Sequence, residues 1–136
     1  MADYHMQYSF QIENLTPKEV EWFDAYTTRV EEAAEESDEY VSLGESEVQQ
    51  DKDLGTVLWF HGYEGFSDDI SDMFQTFLKE HRPDGYIAFQ WANTCTKDRL
   101  DAFGGGACFV TAEKAVWHGT SQFIHEKKKA FNNESV

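Results

Sequence analysis

Between Gln7 and Glu13 the side chains alternate, with Tyr8, Phe10 and Ile12 on one side and Ser9, Gln11 and Glu13 on the other. That period of two predicts a half-buried strand. The period changes at Asn14-Leu15-Thr16-Pro17, which sets up a helix start: Thr16 as N-cap, Pro17 at the first helical position, Glu19 at the third. A Thr-x-x-Glu spacing lets two side chains satisfy backbone N–H groups that a helix start leaves orphaned. Val20, Phe23, Tyr26, Val30 and Ala33/Ala34 then recur at three- and four-residue steps, predicting a helix over about 17–37 with one stripe toward the core. Glu21, Asp24, Glu31, Glu32, Glu35 and Glu36 lie largely off that stripe.

Residues 38–55 are polar, with Gly44 and Gly55 as breakers, and have room for a short edge strand near Glu45–Gln50. Thr56–Gly62 reads as a central strand because β-branched and aromatic residues dominate it. Ser67 is placed to cap a second helix over Asp68–His81, where Ile70, Met73, Phe74, Phe77 and Leu78 form a complete apolar stripe. After the Arg82–Gly85 turn, strands are expected at Tyr86–Asn93, Gly106–Thr111 and Val116–His118, then a helix over Thr120–Phe131. Lys127, Lys128 and Lys129 suit the negative end of that last helix. The expectation is one α+β domain spanning 1–136, frayed over 132–136. Its sheet is mainly antiparallel, with about 4–6 strands and two or three helices packed on it.

Twenty-one aromatic residues supply a real core, so the body of the chain is not a disordered tract. No run approaches the ~18 apolar residues of a membrane span, and no charged-then-apolar start suggests a signal peptide. Cytoplasmic residence without a membrane is therefore expected, and Cys95 and Cys108 are expected as reduced thiols. Charge changes the picture most. The net charge is −15, and residues 13–72 hold 18 acids against Lys18, Arg29 and Lys52, which is already −15. Residues 73–136 hold 7 acids and 8 bases, and Asp3 supplies the remaining negative charge. Self-repulsion at that density costs stability, so either solubility or a partner must need it.

A 21-residue helix is about 30 Å long, close to one turn of B-DNA at roughly 34 Å. Acids along its outer face, joined by Asp38, Glu39, Glu45, Glu47, Asp51 and Asp53, have the reach to stand in for a phosphate track. Asp68, Asp69 and Asp72 offer a second patch. A solvated helix face is the plainer meaning of the same residues. Other chemistry is thinly signalled. No Cys-x2-Cys or His-x3-His spacing suggests a metal or cofactor. The basic residues are too sparse for direct nucleic-acid binding. Cys95, beside Lys97 and Arg99, is a nucleophile only if His61 or His118 reaches it. Gly104-Gly105-Gly106 precedes a strand instead of opening a helix, so a turn or close backbone approach explains it better than a phosphate cradle.

The stretch Phe89–Arg99, then Phe103-Gly104-Gly105-Gly106-Ala107-Cys108-Phe109-Val110-Thr111-Ala112 and Trp117, resembles a group of small acidic proteins encoded on plasmids, integrative elements and prophages of proteobacteria. The match covers about the C-terminal half. The resemblance implies genomic company that includes anti-restriction and anti-CRISPR proteins. The expected function is a non-enzymatic, anti-CRISPR-like inhibitor that mimics nucleic acid and blocks the basic groove of a defence complex. A CRISPR-Cas effector is favoured as its partner over a restriction enzyme. An immunity protein or antitoxin against a basic toxin would use the same face, and a small enzyme using Cys95 is a third reading. A homodimer is compatible with the aromatic content, although neither a heptad nor an exposed patch defines one.

Overall fold

Tyr8, Phe10 and Ile12 put one face of the first strand into the core, and the other elements assemble on that face. The structure is a computed structural model that describes residues 3–100 and 102–134. In chain order the elements are β1 (Tyr4–Ile12), α1 (Pro17–Ser37), β2 (Glu45–Asp51), β3 (Gly55–Gly62), α2 (Asp69–His81), β4 (Tyr86–Cys95), β5 (Gly104–Thr111), β6 (Ala115–Gly119) and α3 (Thr120–Glu134). They form a six-stranded sheet of order β2-β3-β1-β4-β5-β6, with every neighbouring pair antiparallel. This is the α+β class that the hydrophobic pattern predicts. β1 joins the two halves of the sheet, pairing with β4 through Tyr4–Gln7 and with β3 through Tyr8–Ile12.

Phe60, Phe10 and Phe89 stack side by side across β3, β1 and β4, with ring centroids 5.1 and 4.8 Å apart. Phe74 from α2 stands edge-on to all three at 5.3–6.0 Å. Truncating such a ring costs about 3–5 kcal/mol. Phe23 of α1 packs on Phe77 of α2 at 4.5 Å, and Trp22 packs on Phe77 at 5.4 Å. The indole N–H of Trp22 donates to the Glu80 carboxylate. The two helices run antiparallel: Glu19 meets Arg82, Trp22 meets Glu80, and Tyr26 lies beside Asp72. Both cover one face of the sheet.

Several sequence expectations need correction. Ala33 is exposed and Ala34 only half-buried, because past Val30 helix α1 outruns the start of α2. Ser67 does not cap α2; its single hydroxyl proton is shared between the Ser42 carbonyl and the Asp69 carboxylate, and Asp68 holds the cap position without a side-chain bond. Gly104–Gly106 belongs to β5 and not to a loop, paired with Asn93, Ala92 and Trp91. A Cβ on Gly106 would collide with the Trp91 indole, so glycine is there to admit that ring. Cys95 ends β4 opposite Tyr4 instead of lying in the following loop. Helix α3 continues to Glu134, since neither Gly nor Pro stops it at Phe131. Lys127, Lys128 and Lys129 therefore sit in mid-helix and not at its negative end. Residues 135–136 of the segment expected to fray lie outside the described residues.

Candidate functional site

Helix α1 starts where the sequence says it should. The Thr16 hydroxyl accepts the Glu19 N–H at 3.1 Å, and the Glu19 carboxylate accepts the Thr16 N–H at 2.9 Å. Glu19 is the one carboxylate among the described residues that turns inward, 5 % exposed. Arg82 Nε holds it at 2.9 Å. Burial by itself would raise the Glu19 pKa, but the Arg82 hydrogen bond and charge, with the Thr16 bonds, hold it below the ordinary carboxylate value. That removes Glu19 from any outward face and fixes the rotation of α1.

At 100° per residue, the fixed rotation places Glu21, Asp24, Glu31, Glu32, Glu35 and Glu36 within an arc of roughly 140° on the side opposite Phe23 and Val30. All six are exposed. Asp38 and Glu39, also exposed, continue the row past the helix end, where Asp38 adopts the left-handed conformation (φ 58°, ψ 33°) in place of the usual glycine. From Glu31 to Tyr40 only Ala34 is not exposed, so the last two turns overhang the body as an acidic spur. Among the described residues, the ion pairs within 4 Å are Arg82–Glu19 and His61–Glu47. No cation neutralises the spur at that range.

The spur is built against local helix energetics. Glu31–Glu35 and Glu32–Glu36 are like-charge pairs four residues apart, each unfavourable by about 0.2–0.5 kcal/mol. They also crowd the C-terminal end, where the helix dipole favours cations, and no basic residue occupies the last turn.

The second patch is only partly assembled beside the first. Asp69 and Asp72 lie close to Tyr26, whose phenol is raised above its ordinary pKa first by burial and then by the Asp72 charge; Arg29 acts in the opposite direction. Arg29 sits over the Tyr26 ring at 5.2 Å, between the two patches. Asp69 is half-buried and accepts the Ser67 hydroxyl at 2.8 Å, while Asp68 is exposed. Glu45 and Glu47 do not join α1: strand register pairs them with His61 and Trp59, on the sheet face opposite the helices. Asp51 closes the β2–β3 turn by accepting the N–H groups of Asp53 and Leu54.

Spacing alone does not reveal a cleft of about 420 Å³ between α1 and β2, floored by Phe23, Leu43, Leu58 and Phe60 and edged by Glu21 and Asp24. It exists because the inner face of β2 reaches past the helix layer, a tertiary fact without a local signal.

The thiol reading meets a different geometry. By strand alternation Cys95 shares a sheet face with Phe89 and Trp91, whereas His61 and His118 lie on the other face. Cys108 is in the core, and burial pushes its thiol up to about 11. Among the described residues no three His, Cys, Asp or Glu side chains converge to hold a metal ion, and no helix is long and apolar enough to cross a membrane. No protein-family model matches the chain, and neither curated proteins nor solved structures supply a relative.

Proposed function

We propose that this protein is a non-enzymatic inhibitor that presents the outer face of α1 to a basic nucleic-acid-binding groove and occupies it in place of the polynucleotide. One observation carries the reading: a row of exposed, unneutralised carboxylates kept on an overhanging helix end where helix energetics disfavour them. A face needed only for solubility has no reason to collect its charge at the wrong end of a helix dipole. A cationic groove that binds DNA gains by releasing counterions from the phosphates. A fixed array of carboxylates running about 22 Å along the helix, from Glu21 to Glu36, draws on the same attraction. A defence complex as the target, a CRISPR-Cas effector ahead of a restriction enzyme, rests on what the C-terminal sequence resemblance implies.

The test is the triple charge reversal Glu32→Lys, Glu35→Lys and Glu36→Lys. Its far-UV circular dichroism and melting should match the parent or exceed it, while inhibition of target-DNA cleavage by the effector is lost. Inhibition at the parent level by a folded triple variant would end the proposal. A pull-down from host lysate separates a defence complex from a basic toxin as the bound species.

A further inference from the structure

An antiparallel sheet covered on one side normally shows polar residues to water on the other. On the open face of one half, β1 and β2 follow that pattern with Gln7, Ser9, Gln11, Glu45, Glu47 and Gln49, while on β3 between them Trp59 stacks on His61 and donates to Ser9. The half built from β4, β5 and β6 does not. There Tyr86, Phe109 and Val116 are 65, 46 and 49 % exposed on the open face. Tyr86 stacks on Phe109 at 5.0 Å, and Phe109 is the register partner of Val116. Between them and His118 runs a shallow groove of about 480 Å³ with Ala88 and Ala107 in its lining.

The groove leads directly to α3. His118, at its end, meets the Phe123 ring at 5.8 Å, and the helix start is pinned by the Thr120 hydroxyl accepting the Gly105 N–H at 2.9 Å. Beyond that corner none of the described side chains of α3 is buried; Phe123 and Ile124 are 46 and 52 % exposed. An isolated helix of 15 residues is marginal in water and draws its stability from a packed face. Sheet and helix thus form an elbow of exposed apolar side chains joined at the His118–Phe123 contact.

We infer that the elbow is a self-association surface, in which α3 of one copy lies in the open-face groove of a second and the second returns the same contact. The chain carries both halves of a helix-on-sheet contact, concave and convex, so a twofold axis closes it twice with no other component. Charge selects the same occupant. Two molecules of net charge −15 repel each other, but the elbow belongs to residues 73–136, which carry 7 acids and 8 bases. It is the surface on which two copies meet with least repulsion. Two such helix footprints, each about 22 Å by 10 Å, cover roughly 900 Å² over both copies. That is below the ~1,200 Å² of a standard specific interface, so the dimer is a weak and reversible one.

Sedimentation of the full chain from low to high micromolar concentration tests this. The wild type should show a monomer–dimer equilibrium that tightens by about threefold or more between about 50 and about 500 mM NaCl, as salt screens like charges. Ile124→Lys and Phe109→Lys should each weaken it by about tenfold or more. Ile124 lies outside the core, so its variant keeps the fold even if the strand variant does not; circular dichroism of both confirms it. The Glu32, Glu35 and Glu36 reversal should leave a dimer, which makes this inference independent of the proposed inhibition. A wild type that stays monomeric throughout, including one that offers the elbow to a different protein, overturns it. So does a dimer indifferent to both apolar substitutions.

Discussion

Arg82 Nε reaches the Glu19 carboxylate at 2.9 Å, and Nη2 reaches the carbonyls of Glu13 and Asn14 at 3.0 and 3.1 Å. One side chain thereby ties the end of α2 to the start of α1 and to the turn before it. Removing it leaves a buried carboxylate facing its own desolvation. Arg82→Ala should cost about 2–3 kcal/mol, read as a lower denaturant midpoint at neutral pH. The pH dependence carries a second signature. Because the Glu19 pKa is lowered in the folded state, its contribution is full above the unfolded value, near pH 4.3, and is lost as pH falls through the folded value. With Arg82 gone, the burial that opposes ionisation meets only the Thr16 bonds, so acidification should cost the variant less than the parent. Equal acid limbs would assign Arg82 a packing role without the electrostatic one.

At the scale of elements, α1 is a conflict between a well-made start and a poorly made end. Its capping box and Pro17 nucleate it, while four glutamates crowd its last two turns. The double reversal Glu35→Lys and Glu36→Lys should therefore raise thermal stability, by a few tenths of a kcal/mol per site, while weakening inhibition. A melting temperature that falls would show that the spur has partners other than solvent and the target. These opposed features were legible in the sequence, because cap and acid spacing are local. So was α2, whose stripe Ile70, Met73, Phe74, Phe77 and Leu78 is buried throughout. What local pattern does not carry is how far α1 outruns α2, since that depends on where Asp69 starts relative to Val30. Nor does it carry the fate of Glu45 and Glu47, because an edge strand takes its register from β3. The three glycines of β5 read as a turn or a close backbone approach; they form a strand in which Gly105 admits the Trp91 backbone and Gly106 its indole.

The whole molecule is electrically divided: carboxylates are gathered on the first half, and an apolar elbow sits on the nearly neutral second half. Screening the self-repulsion of 26 acids against 11 bases should raise the melting temperature as salt increases; a salt-independent melt would mean that the acids cost the fold nothing. Salt should act in the opposite sense on binding to a cationic groove, where attraction is what is screened. The proposed role of the α1 face is to take the place of a polynucleotide. It is tested most directly by titrating the protein against a guide-loaded Cas effector holding a fluorescent target duplex, across a salt series. Displacement of the duplex should weaken steeply with salt and disappear in the Glu32, Glu35 and Glu36 reversal. A duplex that stays bound at low salt, or one displaced equally well by the reversed protein, would contradict it.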